Sequence, residues 1–337
     1  MIRWLGLICG ASAALILCEF GVRPFFGEVH TPRMITVRQY EEGMATAHYV
    51  RNDPQDYNWR LTGNAAIEGA PEVLIVGDSY VLARQVSDDA TMGALIERRS
   101  RAEGRPINVR QYGIPGGSAA GYAAAARALL ARWNPAWVIV VLPSNDLTEQ
   151  AFDLGSWRMR LGSGDSVEMY QVLQPPLRRP TVAYRIFNRV KRHSTLLDLL
   201  ALRWNQLHRP QRPQHPGGID ESERVAKVPQ ASVSLLAQAY GDRLLILHLP
   251  EISRSNSRRI TPAEVRLEAA CLEAGIPYVS AREVLIRARD RFVLSRGFWN
   301  TTPGDGHLNE TGHRLVAGAL WQLLEKARHG VQMRKST

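Results

Sequence analysis

The feature that most constrains the fold is a set of short, unbroken apolar segments, each followed by residues with helical spacing. Three of these segments lie at residues 72–76, 137–142 and 243–249. They are runs of Val, Ile and Leu rather than alternations of apolar and polar residues, which indicates strands buried on both faces. Strands that alternate with helices predict a parallel sheet covered on each side. We therefore predict a three-layer α/β/α sandwich.

This alternation predicts about five parallel strands and the helices that connect them. The strands are predicted at residues 72–76, 107–112, 137–142, 243–249 and 277–280. The helices are predicted at residues 89–102, 119–133, 261–274, 281–289 and 309–328. Because ligands of α/β folds bind at the carboxyl ends of the parallel strands, we expect a functional site at that edge of the sheet.

The remaining segments flank or interrupt this core. Residues 1–26 are predicted to be a signal-anchor, residues 27–70 an irregular arm and residues 331–337 a tail. The α/β domain takes up residues 71–330, with an insertion at residues 147–233 where the strand–helix rhythm breaks. Proline-rich stretches surround an apolar run at helical spacing within the insertion, so we predict that it is partly helical.

Positive charge is concentrated in the insertion. The formal net charge of the chain is +10, and residues 177–212 hold nine basic side chains against one acid. Such a field favours an anionic surface or substrate, although a solvated helical face explains it equally well. The sequence shows no zinc-finger spacing, ribonucleoprotein motif or helix-turn-helix pattern, so no nucleic-acid partner is predicted. Its three cysteines have no disulfide or metal-site spacing, and neither a metal nor a cofactor is predicted.

The N-terminus has the layout of a signal sequence. Arg3 precedes an uncharged apolar run at residues 4–18. Because this run lacks a credible cleavage site, we predict an uncleaved single-pass membrane anchor with the α/β domain on the extracytoplasmic, periplasmic side. A buried helix of a soluble protein is the alternative interpretation.

Chemistry-bearing residues follow the predicted strands or precede the last helix. Ser79 ends the run that begins at Val73, and Gly116 follows the second strand. Asn145 follows the third strand, and His307 lies just before the final helix. A serine hydroxyl is a weak nucleophile until a base removes its proton, and a histidine titrates in the range that suits this role. The glycines can instead form ordinary turns, and Asn145 with its neighbour can instead cap a helix.

These motifs, in this order, resemble the SGNH (GDSL-type) hydrolase family, specifically its bacterial membrane-anchored members, over roughly residues 71–327. The resemblance implies a flavodoxin-like α/β sandwich in which Ser79 is the nucleophile and His307 the general base. It also implies an oxyanion hole built from the backbone N–H of Ser79, the N–H of Gly116 and the side chain of Asn145. Asp305 corresponds to the aspartate that orients the histidine ring.

Two positions depart from the common family pattern. Pro143 stands where the third motif, Gly-x-Asn-Asp, has its glycine. Asp305 lies two residues before His307 rather than three, an Asp-x-His variant that resembles polysaccharide acetyltransferase-like members of the family. The first change affects the loop that carries Asn145, and the second affects the role assigned to Asp305.

The resemblance implies a serine esterase or deacylase that acts through an acyl-enzyme, with an acylated carbohydrate or a lipid ester as substrate. The same Ser–His machinery can transfer the acyl group to a sugar hydroxyl, so an O-acyltransferase is one alternative. The other is a catalytically silent module of the same fold that binds carbohydrate or a partner at the membrane. We predict the esterase and keep the other two as alternatives.

Overall fold

A computed structural model of the 337-residue chain was used to locate these motifs. The structure describes residues 13–14, 16–21, 59–60, 62–147, 157–161, 167–171, 196, 200, 221–252, 260–297 and 306–335. Every structural statement below concerns these residues.

A six-stranded sheet forms the centre of the fold, in the order β1-β3-β2-β4-β7-β8. The short edge strand β1 runs antiparallel to β3, and the other five strands are parallel to one another. The strands are β1 Trp59–Arg60, β2 Glu72–Gly77, β3 Asn108–Gly113, β4 Trp137–Pro143, β7 Leu244–Leu249 and β8 Tyr278–Ser280. Strands β5 Trp157–Leu161 and β6 Val167–Gln171 form a separate antiparallel pair. The predicted parallel sheet is confirmed.

Helices cover both faces of this sheet. They are α1 Ser79–Leu82, α2 Met92–Ala102, α3 Ala119–Trp133, α4 Glu221–Tyr240, α5 Pro262–Glu273, α6 Arg282–Asp290 and α7 Glu310–Lys335. Apolar residues of α2, α6 and α7 form one core with one set of strand side chains. Those of α3, α4 and α5 form a second core with the alternate set. The three-layer α/β/α sandwich is therefore confirmed, and each central strand is buried on both faces.

Local side-chain chemistry fixes where the helices begin. Thr91 caps α2 by accepting a hydrogen bond from the N–H of Ala94 at 3.3 Å. Thr261 caps α5 in the same way, and Pro262 occupies its first turn, where an N–H has no helical partner. These caps place the helix starts within a few residues of the predicted positions.

The last part of the predicted irregular arm belongs to the core. Trp59 is 4% exposed, and its ring lies 5.0 Å from that of Tyr112 across the β1–β3 pair. Glu97 of α2 accepts hydrogen bonds from the side chains of Thr62 and Asn64. A two-residue strand has no periodicity to detect in a sequence, which explains why this edge was not predicted.

The insertion contains a strand pair that was not predicted, in addition to helical residues. It contributes the β5–β6 pair, and helix α4 begins within residues 147–233 and continues past their end. Of the apolar run predicted to be helical, the described residues 196 and 200 are helical. The rest of the basic segment at 177–212 lies outside the described residues. At the other end of the domain, α7 extends through Lys335 into the predicted tail.

Most of the predicted signal-anchor lies outside the described residues, which include positions 13–14 and 16–21, all helical. Within the part of the chain that the structure describes, no helix combines the length and the apolar character needed to span a membrane.

Candidate active site

Ser79 lies at the carboxyl end of β2, the strand flanked by β3 and β4. It is the first residue of α1, and the Asp78 side chain caps this helix by accepting the N–H of Tyr80 at 2.9 Å. The turn needs glycine because a Cβ at position 77 would lie 2.5 Å from a methyl carbon of Val81. The sequence therefore folds into a tight strand-to-helix turn that presents a partly buried serine at the sheet edge.

The structure brings His307 to this serine from the far end of the chain. The Nε2 atom of His307 lies 2.9 Å from the Ser79 Oγ. The histidine lies in a bend, where its carbonyl accepts the N–H of Gly297 at 2.9 Å, and the next residue, Leu308, forms an antiparallel bridge with Arg296. This distance is that of a hydrogen bond, and it allows direct proton transfer between the two side chains.

His307 is held in a state that can accept a proton. Burial, followed by the positive charge of Arg296, lowers the pKa of His307 below its ordinary value. The imidazole is therefore neutral at neutral pH, as a general base must be. Asp305, predicted to orient the ring, lies outside the described residues. Among the described side chains, no carboxylate is hydrogen-bonded to the second ring nitrogen.

Gly116 and Asn145 lie on either side of Ser79, because β3 and β4 flank β2. Gly116 sits in the turn after β3 with φ of +63°, a left-handed conformation that favours glycine. The turn is tied to β2 by a 2.8 Å hydrogen bond from the N–H of Ile114 to the carbonyl of Gly77. Asn145 lies in the 3-10 turn Ser144–Leu147 that follows β4. The topology thus places both predicted oxyanion donors at the same edge of the sheet as Ser79.

A buried network that the sequence did not predict holds Asn145. Its amide nitrogen donates to Oδ1 of Asp146 at 3.1 Å, and the hydroxyl of Tyr122 donates to Oδ2 of the same carboxyl at 2.8 Å. The hydroxyl of Tyr240 in turn donates to the carbonyl of Tyr122 at 2.7 Å. Asp146 is 2% exposed, so these bonds fix it firmly. Only the Asn-Asp pair was visible in the sequence, because the tyrosines lie on distant helices.

Two buried carboxyl groups lie under the site. Asp78 is 3% exposed, and desolvation raises its pKa to about 7 despite opposing hydrogen bonds and the charge of Arg296. Desolvation, reinforced by the charge of Asp78, also raises the pKa of Asp146 well above its ordinary value. Each group is therefore more easily protonated in the folded protein than in the unfolded chain.

These shifts predict that Asp78 and Asp146 lower the free energy of unfolding as the pH rises from 5 to 8, whereas the buried histidines His307 and His313, whose pKa values are lowered, act in the opposite direction. In this window the unfolded chain has lost the Asp78 proton, whereas the folded protein still retains part of it, so raising the pH favours unfolding. Asp78→Asn removes this titration, so its change in free energy of unfolding from pH 5 to pH 8 should be more positive than that of wild type by on the order of 2 kcal/mol. Urea unfolding at several pH values measures the effect. The exposed control Asp242→Asn should keep the wild-type slope, and an unchanged slope in Asp78→Asn would contradict the assignment.

Arg296 is a further site residue that the sequence did not identify. It is 6% exposed and donates hydrogen bonds to the hydroxyl of Tyr80 and to the carbonyl of Gly306, the residue before His307. It belongs to none of the motifs. The only available signal was an arginine eleven residues before the histidine, and this gives no reason to place the two together.

No protein-family model matches the chain, and no curated protein sequence matches it. The chain is similar in structure to a two-domain esterase active on acetylated mannans (14% identity, TM-score 0.43). The similarity covers 77% of this chain and 50% of that one. It is also similar to TesA (17%, TM-score 0.40), covering 76% of this chain and 99% of that one. A third similar structure is a catalytic mutant of an acetylxylan esterase from Geobacillus stearothermophilus. The two share 13% sequence identity with a TM-score of 0.42, and the similarity covers 76% of this chain and 95% of that one.

Proposed function

We propose that this protein is a serine esterase or deacylase that hydrolyses an ester through an acyl-enzyme. The observation that carries the proposal is the 2.9 Å contact between the Ser79 Oγ and the His307 Nε2 at the carboxyl edge of a parallel sheet. A partly buried serine beside a neutral imidazole is the arrangement that activates a hydroxyl for attack on a carbonyl carbon.

The proposed reaction has two stages. His307 accepts the Ser79 proton as the oxygen attacks the ester carbonyl, and it returns that proton to the departing alcohol as the acyl-enzyme forms. A water molecule then gives a proton to His307 and attacks the acyl carbon. The bond between the acyl carbon and the Ser79 oxygen breaks, His307 returns the proton to that oxygen, and the acid is released.

Negative charge develops on the carbonyl oxygen in both stages. The backbone N–H groups of Ser79 and Gly116 and the amide of Asn145 are the proposed donors to that oxygen. Preorganised donors contribute most when they are already fixed before the reaction, and the Asp146 contact fixes Asn145 in this way. Asp305 is proposed to orient the His307 ring through its remaining nitrogen.

A serine-reactive fluorophosphonate followed by an ester panel tests the proposal. The full chain should be labelled at Ser79 and should hydrolyse aryl acetates, longer acyl esters or acetylated polysaccharides. Ser79→Ala should remove both labelling and turnover. Carbohydrate binding without labelling would contradict catalysis and favour the silent module. Transfer of the acyl group to an added sugar in preference to water would replace the hydrolase with an O-acyltransferase.

We also propose that the N-terminal segment anchors the protein in a membrane, with the α/β domain outside the cytoplasm. The support is the charge-then-apolar sequence and the exposure of Ile16, Leu17 and Phe20, which are 56–72% exposed in the helix that carries them. Carbonate-washed membranes should retain the full chain, and protease added to spheroplasts should digest it. Release by the wash, or a mature N-terminus beyond Phe26, would contradict the anchor.

A further inference from the structure

Arg296 connects three separate parts of the site. Its guanidinium donates to the Tyr80 hydroxyl in α1, to the Gly306 carbonyl at 3.1 Å and to the Pro250 carbonyl at 3.0 Å. These acceptors belong to the nucleophile turn, the segment that carries His307 and the loop after β7. A rigid planar fork with several donors is well suited to hold three such segments in one geometry.

The Tyr80 ring contacts both this arginine and His307. The Arg296 Cζ lies 5.0 Å from the centre of the Tyr80 ring, and that ring lies 5.3 Å from the centre of the His307 ring. The Tyr80 hydroxyl also lies 3.4 Å from the Gly306 carbonyl. The tyrosine ring therefore lies close to both the imidazole and the guanidinium.

Within the described part of the chain, the three groups that accept hydrogen bonds from the Arg296 guanidinium are neutral. The charge of Arg296 opposes the rise in the pKa of Asp78, but desolvation dominates, and that carboxyl is protonated more readily than usual. Other titratable groups near the site, among the described residues, are Tyr80, Glu251, which acts on Tyr80, and His313 of α7, whose pKa burial lowers to about 3. An arginine retains its charge when buried, so a lasting positive charge lies beside the imidazole.

We propose that Arg296 is a positioning residue for the esterase reaction: it holds the Gly306–His307 turn and the Tyr80 ring in place next to Ser79, and its positive charge lies near the imidazole. This inference rests on the proposed function. The charge and the geometry make separable contributions, because a lysine supplies the former without the planar fork.

Arg296→Met and Arg296→Lys separate the two contributions. In Arg296→Met the loss of charge should raise the pH at which His307 titrates, and kcat should fall by about 10–100-fold as the turn loosens. In Arg296→Lys the titration should stay near that of wild type while kcat still falls. Selective ¹³C labelling of histidine and NMR follow the titration without requiring turnover, and an aryl acetate reports kcat and the acidic limb of kcat/KM.

Arg282→Met is the matched control, because Arg282 is another buried arginine but is paired with Glu264. It should destabilise the fold while leaving the His307 titration unchanged. If Arg296→Met does not fold, Arg296→Lys and Tyr80→Phe test the positioning role instead. Each should lower kcat without moving the titration, and wild-type kcat in both would overturn the inference.

The inference and the proposed function fail in different ways. An unchanged His307 titration and an unchanged kcat in folded Arg296→Met would overturn the positioning role, while ester turnover by the wild type would leave the function intact. If the wild type turns over no ester but Arg296→Met still shifts the titration, the electrostatic contact is supported and the esterase proposal is overturned.

Discussion

Ser79→Ala and His307→Ala should each lower kcat for an aryl acetate by about 10⁴-fold or more, without unfolding the protein. The alanine at position 79 has no oxygen to form the acyl bond. The alanine at position 307 leaves the serine without a group to take its proton, and a serine hydroxyl alone is a poor nucleophile at neutral pH. Stopped assays at matched protein concentration, together with circular dichroism, measure the change.

The two residues should also behave as one unit. Because each step of the proposed reaction needs both side chains, the double variant Ser79→Ala/His307→Ala should be no slower than either single variant. If the two side chains acted independently, their fold-losses in kcat would multiply in the double variant. A double variant that much slower than either single variant would show that the 2.9 Å contact is not the catalytic one.

Exposed residues of the same types provide the controls. Ser234 lies on the outer face of α4 and His329 on that of α7, and both are exposed. Ser234→Ala and His329→Ala should keep wild-type turnover and wild-type melting temperature. Turnover close to wild type in Ser79→Ala would contradict the nucleophile assignment directly.

The sheet could be predicted because its physical cause is local in the sequence. A strand buried on both faces must be apolar at successive positions, and β2, β4 and β7 satisfy this with runs of Val, Ile and Leu. The elements that were missed lack such a local cause. Strand β1 has two residues, and it is stable because Trp59 packs against Tyr112 and against Trp133, 5.4 Å away between ring centres.

The same distinction applies to the site. Ser79, Gly116 and Asn145 were predictable because each follows a recognisable strand, and parallel strands end at one edge. Tyr122 and Arg296 were not predictable because their roles depend on which distant segments meet. A tyrosine in an alanine-rich helix and an arginine outside any motif look like ordinary core and surface residues until the fold brings them to Asp146 and Tyr80.

Asn145→Ala should lower kcat by about 10²–10³-fold with little change in KM. The reason is that its amide is proposed to donate to an oxygen on which negative charge develops only after substrate binding, as the reaction approaches the transition state, so its loss leaves substrate binding nearly intact. The amide is already held by Asp146 at 3.1 Å, so little reorganisation is needed when the charge develops. Steady-state kinetics on an aryl acetate separate kcat from KM.

Two further variants test whether the effect arises from this held amide. Tyr122→Phe removes the hydroxyl that donates to Asp146 and leaves Asn145 unchanged, so it should give a smaller loss in kcat with the same unchanged KM. Gln238→Ala removes an exposed amide from α4 and should have no effect on either constant. A rise in KM alone in Asn145→Ala would show that the side chain positions the substrate in its ground state. In that case the oxyanion would be stabilised by backbone N–H groups, and Tyr122→Phe should raise KM as well, because the asparagine would still depend on the same buried carboxyl for its orientation.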